Sequence, residues 1–243
     1  DEDRLTFSAF MTFDAAGRMI ERRFARTRIR SALRLNYEQA MAIIADQPPE
    51  GLATVSEATR RLLKETWRLA AQLRQRRFSM AALDLEVPEV EVMLDDHARM
   101  TGLAVRPYDE SHQLIEECMV AANEAVATEL WTRGIKILVR LHEPPDEEKL
   151  EELQANLAIL GFRPGDLSDP KRLAKFLKDT QEHPLRYHAH MMVLRSMKRA
   201  VYSAEKIGHF GLAKAYYAHF TSPIRRYPDL VLHRQLADFL DGK

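Results

Sequence analysis

The sequence has almost no cysteine. Its single thiol, Cys118, excludes an internal disulfide and a multi-cysteine zinc site. Set in an apolar helical pattern, it reads as a small core hydrophobe. Charge of either sign is not in excess: 36 Lys and Arg stand against 36 Asp and Glu. That balance argues against a histone-like binder, and any nucleic-acid surface must be a local patch. No apolar run approaches the length needed to span a bilayer, and the N-terminus lacks the positively charged region and continuous apolar run of a signal peptide. No membrane association and a cytoplasmic location are therefore expected. What the chain does have is 46% apolar residues over a length of 243, enough for a substantial core in one large domain or two small ones.

The apolar pattern changes period along the chain. Residues 5 to 13 alternate, as do residues 18 to 28, and Asp14-Ala-Ala-Gly17 between them offers a turn with glycine available for positive φ. The second of these strands is densely basic, with Arg18, Arg22, Arg23, Arg26, Arg28 and Arg30 opposed within it only by Glu21. Asn36 is a plausible N-cap for a helix over 37–45, and Ser56 for one over 57–76. In the latter, Leu62, Leu63, Trp67, Leu69 and Leu73 form an apolar face, while Arg60, Arg61, Lys64, Arg68, Arg74, Arg76 and Arg77 cover the remainder. This basic face reads equally as an RNA contact and as an ordinary solvated surface.

A second hairpin is expected from residues 87–94 and 101–107, around Asp95-Asp96-His97. Tight turns favour Asp for backbone reasons, so these acids are read as a surface turn and not as a metal site. A long helix follows from Ser111 to Thr132, with Leu114, Ile115, Cys118, Met119, Ala122, Ala125, Val126 and Leu130 as its buried stripe. Glu116 and Asn123 lie seven residues apart, about 20° out of register, and so project in nearly the same direction. Residues 137–145 read as a short strand halted by prolines, and the acids from Asp146 as the first turn of a helix. Helices over 170–179 and 184–203 complete this part. His188 and His190 are two apart and cannot clamp a metal from one helical face. The fold class is α+β, with antiparallel β-hairpins in the first half packed against a mainly helical second half.

The densest chemistry is near the end: Gly208-His-Phe-Gly-Leu-Ala213, then Tyr216-Tyr-Ala-His-Phe-Thr-Ser-Pro-Ile-Arg-Arg-Tyr-Pro-Asp229, running into a helix. Pro223 and Pro228 stiffen the backbone, so the Arg225-Arg226-Tyr227 triplet is held on a rigid loop. Guanidiniums there suit phosphate oxygens and flanking rings suit bases; pairing with acids of a neighbouring helix is the plain structural alternative.

This string resembles the C-terminal signature of the RNB catalytic domain of the ribonuclease II and ribonuclease R family. Asp109-Glu-Ser-His-Gln-Leu-Ile-Glu-Glu-Cys-Met-Val-Ala-Ala-Asn123 and Ile137-Leu-Val-Arg-Leu-His-Glu-Pro-Pro145 resemble it too, in the same order. The resemblance implies one RNB-like domain over 1–243 and a processive 3′→5′ hydrolase. It would act on single-stranded RNA, release nucleoside 5′-monophosphates and use Mg²⁺. It also implies roles: Arg225 as the cation at the transition state, Glu116 at the terminal ribose, and Tyr37 beside the scissile phosphate. RNA contacts are implied at Arg226, Asn123, His112, Ser222, Tyr227 and His219.

One part of the family pattern is missing. The magnesium-binding aspartates, spaced Asp-x-x-x-x-x-Asp-x-Asp-Asp, have no counterpart, and no convergent carboxylates replace them. The chain alone is therefore expected not to cleave RNA. Its strand-first opening, Asp1-Glu2-Asp3-Arg4 into Leu5, suits a fragment without its metal-binding segment and flanking oligonucleotide-binding domains. The rest would come from a longer polypeptide or a complementing chain. The competing readings are a non-catalytic RNA-binding homologue and a helical scaffold with incidental basic faces.

Overall fold

The computed structural model describes residues 2–51, 54–85, 90–105, 107–205 and 208–243. In chain order the elements are β1 (Arg4–Phe13), β2 (Met19–Ile29), α1 (Tyr37–Ile44), α2 (Glu57–Ser79), β3 (Val90–Leu94), β4 (Met100–Val105), α3 (Glu110–Thr132), β5 (Val139–Leu141), α4 (Glu147–Ile159), α5 (Pro170–Asp179), α6 (Arg186–Ser196), β6 (Val201–Ser203) and α7 (Tyr227–Leu240). The strands form three two-stranded antiparallel sheets, β1-β2, β3-β4 and β5-β6, so the described residues are α+β. Two compact units emerge: 1–82 with 110–144 and 198–243, and 83–109 with 145–197.

The first unit holds the larger core. Phe24 of β2 packs with Ala125, Val126 and Leu130 of α3, Val139 and Leu141 of β5, Phe220, and Leu232 and Leu236 of α7. The β1-β2 ladder runs from Arg4 opposite Ile29 to Phe13 opposite Met19, with a bulge at its turn end. Asp14 closes that turn, its Oδ1 accepting from the amides of Ala16 (2.9 Å) and Arg18 (2.8 Å). Helix α1 starts from a full capping box between Asn36 and Gln39 (2.8 and 3.1 Å). Ser56 caps α2 through the amide of Thr59 (3.1 Å).

In the second unit, Leu150, Leu153 and Leu157 of α4, Leu173, Phe176 and Leu177 of α5, and Ala189 and Val193 of α6 are all buried. His190 is buried with them, its Nε2 3.0 Å from Thr180 Oγ1, whereas His188 is exposed, so the two histidines do not converge. In the β3-β4 hairpin, Asp95 Oδ1 accepts from the amides of His97 and Arg99, both at 2.9 Å. Asp95 thus serves the turn. The expected strand residues 87–89 and Arg106 lie outside the described residues.

Three expectations need correction. The helix expected over 184–203 is α6, which ends at Ser196 and does not reach 203, because the chain turns into β6, which pairs with β5. The buried face of α3 is rotated: Ile115 and Met119 are exposed, while Glu117 and Asn123 are each 2% exposed. Apolar periodicity missed this because a buried arginine, Arg77, supplies Glu117 with its partner. On α2, Leu62 is exposed and Arg77 buried, the reverse of the expected assignment.

Candidate nucleic-acid interface

All the residues singled out for RNA contact lie in the first unit. At the start of α1, Tyr37 stacks on His112 of α3, with ring centroids 3.9 Å apart and planes at 13°. Tyr37 lines an open cleft of about 770 Å³ together with Arg34, Asn36, Ser111 and Ile115. The capping box that starts α1 fixes the Tyr37 backbone, and the residue remains 40% exposed.

One turn further along α3, Arg77 of α2 joins the two adjacent acids. Its Nη2 donates to Glu116 Oε1 (3.0 Å) and its Nε to Glu117 Oε1 (3.1 Å). The Glu117 side chain is 3% exposed and that of Glu116 36%. Only Glu116 presents a carboxylate to anything outside the fold; Glu117 neutralises Arg77 inside it.

Asn123 has no surface left for a ligand. Its Nδ2 donates to Tyr217 Oη (3.1 Å), and its Oδ1 accepts from the amide of Phe220 (2.8 Å). It ties the 216–222 segment to α3. Burial is the main cause that raises the Tyr217 hydroxyl pKa, so the group stays protonated, and Arg77, Glu116 and Arg226 all act electrostatically on that hydroxyl. Tyr217 therefore links the Glu116 end of the cluster to the arginine loop.

That loop is built on Asp229, which is fully buried in the first turn of α7. Its Oδ1 accepts from the Ser222 amide (2.7 Å) and from Arg226 Nη2 (2.8 Å). The amides of Arg225 and Arg226 both donate to Ser222 O (3.3 and 3.1 Å). Ser222 thus contributes its backbone to the turn, and Arg226 is held by an acid three residues on. Arg225 and Tyr227 point outward and are exposed, Tyr227 by 68%. Among the described residues Arg225 makes no ion pair.

The Gly-His-Phe-Gly stretch is a clasp on His142. The amide of His142 donates to Gly208 O (3.0 Å), the amide of Phe210 to His142 O (2.8 Å), and the amide of Gly211 to His142 Nδ1 (3.0 Å). Its Nε2 faces the carbonyl of Lys198 at 2.8 Å, so the ring is neutral with the proton on Nε2. Gly208 has φ +85°, and a Cβ there would come 2.8 Å from Lys214 O, which is why this position needs glycine. His209 lies beside His142 and is pushed down to about 3, first by burial and then by His142 and Arg140. His219 is pushed down to about 4 by burial and then by Arg226, with Arg140 and Arg225 adding to the effect. Its Nδ1 is 2.8 Å from Tyr202 Oη.

The sequence pointed to Tyr37, His112, Glu116, His219 and the arginine loop, and these do fall in one unit. It offered no sign that Arg77, Asp229 and Tyr217 organise them. The only available signal for Arg77 was an arginine interrupting the apolar face of α2, and for Asp229 a carboxylate three residues after an arginine.

The exposed arginine loop, the stacked Tyr37-His112 pair and the glutamate-bearing helix α3 thus belong to one α+β unit. The family model described as RNB domain matches residues 1–242, and the chain belongs to that family. Among curated relatives, it is 39% identical over 250 residues to ribonuclease R of Aquifex aeolicus, covering 100% of this chain and 34% of that protein. It is 40% identical over 243 residues to ribonuclease R of Thermotoga maritima, covering 99% of this chain and 34% of that protein. The fold matches Mycoplasma genitalium ribonuclease R, solved in complex with ribose methylated single-stranded RNA. There the TM-score is 0.91 at 28% identity, covering 98% of this chain and 37% of the other. The chain thus spans about a third of the length of these relatives.

Proposed function

We propose that this chain supplies the RNA-holding wall of a processive 3′→5′ exoribonuclease that hydrolyses single-stranded RNA to nucleoside 5′-monophosphates in the cytoplasm. The observation that carries the reading is Arg225. It is an exposed guanidinium without an ion-pair partner among the described residues, on a turn fixed by buried Asp229, in a chain whose relatives are named ribonuclease R. Arg225 offsets negative charge gathering on the phosphoryl oxygens as the chain is cut. Arg226 gives a second cation, already half-neutralised by Asp229. Glu116 accepts from a ribose hydroxyl, the group that separates RNA from DNA. The greater exposure of its side chain, 36% against 3% for Glu117, supports this role over the neighbouring acid. Tyr37 and His112 contact the nucleotide next to the cleft, and Tyr227 and His219 flank the arginine loop.

The Mg²⁺ ions that such a hydrolysis uses do not fit the residues described. No group of three or more His, Cys, Asp or Glu among them can hold a metal ion. The ligands are assigned to the part of a longer or complementing polypeptide outside these 243 residues.

Two measurements on the purified chain test the reading. Binding to single-stranded RNA is expected to exceed binding to duplex and to weaken as salt rises. Arg225→Ala should lower the slope of log affinity against log salt by ~1. Release of mononucleotides in Mg²⁺ should be absent. Equal affinity for duplex, or an unchanged salt slope in Arg225→Ala, would remove the channel role; measurable release would show that the metal ligands have been misplaced.

A further inference from the structure

Three guanidiniums act on His219, those of Arg226, Arg140 and Arg225, and one carboxylate, Asp229. Asp229 is taken by Arg226. Arg140 and Arg225 have no carboxylate partner among the described residues, unlike five of the six arginines between residues 18 and 30. The Arg140 backbone is locked, its amide donating to Tyr217 O (2.8 Å), and β5 sets it directly opposite Tyr202 of β6. Its guanidinium therefore lies over the Tyr202 ring, 4.9 Å from the centroid. Tyr202 is 37% exposed. Its hydroxyl is anchored on His219 (2.8 Å), and the two rings meet edge to face at 5.7 Å. The result is a fixed, partly open aromatic surface with Arg140 over it and Arg225 near enough to act on His219, neither cation ion-paired among the described residues.

We propose that Arg140, Tyr202, His219 and Arg225 form a nucleotide subsite, in which Tyr202 and His219 receive a base while Arg140 and Arg225 hold the phosphate attached to it. The assignment rests on the RNA-binding reading above and names a second place where the strand is gripped, apart from the Tyr37-His112 stack. Two features favour a nucleotide over a simple anion. Arg140 lies over an aromatic ring, and His219 stays neutral near pH 7, so it offers a ring face and not a third charge. Base-on-aromatic stacking is tolerant of sequence, which suits an enzyme that moves along any strand.

The test uses the 243-residue chain and two fluorescent probes of equal length, a single-stranded oligoadenylate and the matching ribose-phosphate oligomer without bases. Anisotropy is measured at low salt, and circular dichroism checks that each variant is folded. Tyr202→Ala should weaken the oligoadenylate roughly 5- to 100-fold and change the abasic probe by less than about twofold. Tyr202→Phe keeps the ring and should stay close to wild type. Arg140→Met should weaken both probes alike and lower the salt slope by ~1. If Tyr202→Ala weakens both probes equally, or neither, the base subsite is wrong. If Tyr202→Ala does not fold, Tyr202→Leu makes the same comparison, because it also lacks the aromatic face. If Arg140→Met leaves the salt slope unchanged, the phosphate half is wrong. Wild-type chain that binds neither probe would overturn the parent reading instead, so the two failures are distinguishable.

Discussion

Two arginine-rich regions of this unit make opposite use of the same side chain. The β2 region carries six arginines between residues 18 and 30, the densest run of positive charge in the chain. Nearly every one is answered. Arg18 pairs with Asp14 at 2.7 Å, Arg22 with Glu129 at 2.8 Å, Arg26 with Asp241, and Arg28 and Arg30 with Asp3 at 3.2 and 2.7 Å. Arg23 lies over the Phe10 ring at 4.1 Å. Three arginines and one acid act on His219, and two of those arginines make no ion pair among the described residues. A high count of arginines therefore does not mark a phosphate site. An arginine without an internal partner keeps its charge available to an anion from outside.

Arg77 gives the strongest test of that contrast, since it is a buried arginine paired with a buried acid, Glu117. Arg77→Met leaves Glu117 with its carboxylate enclosed and unpaired, which is expected to cost about 3–5 kcal/mol. Urea denaturation would read this as a lower midpoint with an unchanged slope. Replacing Glu117 by Met in the same chain removes the stranded charge and should recover most of the loss. A fully stable single variant would mean that Glu117 is not held by this pair.

The two regions also differ in their response to acid. Burial and neighbouring arginines hold His209 at about 3 and His219 at about 4, below the ordinary 6.5. In the unfolded chain both bind a proton near pH 6.5, while in the folded chain they do not. Stability is therefore full above pH 6.5 and falls as pH drops from there towards 3 to 4, where the folded rings also protonate. His209→Gln should flatten the fall in midpoint between pH 6.5 and 4. The β2 pairs, made of carboxylates and arginines, contribute nothing in the upper part of that window. An unchanged pH profile in His209→Gln would place the acid-sensitive group elsewhere.

What the sequence disclosed and what it concealed follow the same division. Local rules read well: the Asn36 and Ser56 caps, the Asp14 and Asp95 turns and the β1-β2 pairing all rest on contacts between residues close in the chain. Burial on α3 was misassigned because the decisive contact joins Arg77 to residues about 40 positions away. A hydrophobic stripe cannot register a charged pair that goes inside together. The β2 arginines looked free for the same reason, since Glu129 and Asp241 lie 107 and 215 residues from their partners. For the candidate site, Tyr37, His112, Glu116 and Arg225 were legible as residues. The stiffness of the Arg225 loop was attributed to its prolines, and the buried Asp229 that accepts from Ser222 and Arg226 was overlooked.

The smallest expected effect is also the cleanest check on the opening contrast. Arg26 and Arg225 are both exposed arginines in the same unit, and a count of charges would rate them equal. Arg26 is gripped by Asp241 through both terminal nitrogens, so an approaching phosphate would have to compete with a carboxylate already seated. Arg26→Ala should therefore leave the salt slope of RNA binding unchanged, with no measurable shift in the thermal midpoint because surface pairs of this kind contribute little. Arg225→Ala should change the slope by ~1. Equal losses of slope in the two variants would break the distinction and extend the RNA-binding surface onto β2. A loss confined to Arg225 would tie phosphate affinity to the missing internal partner, since the two side chains carry the same charge.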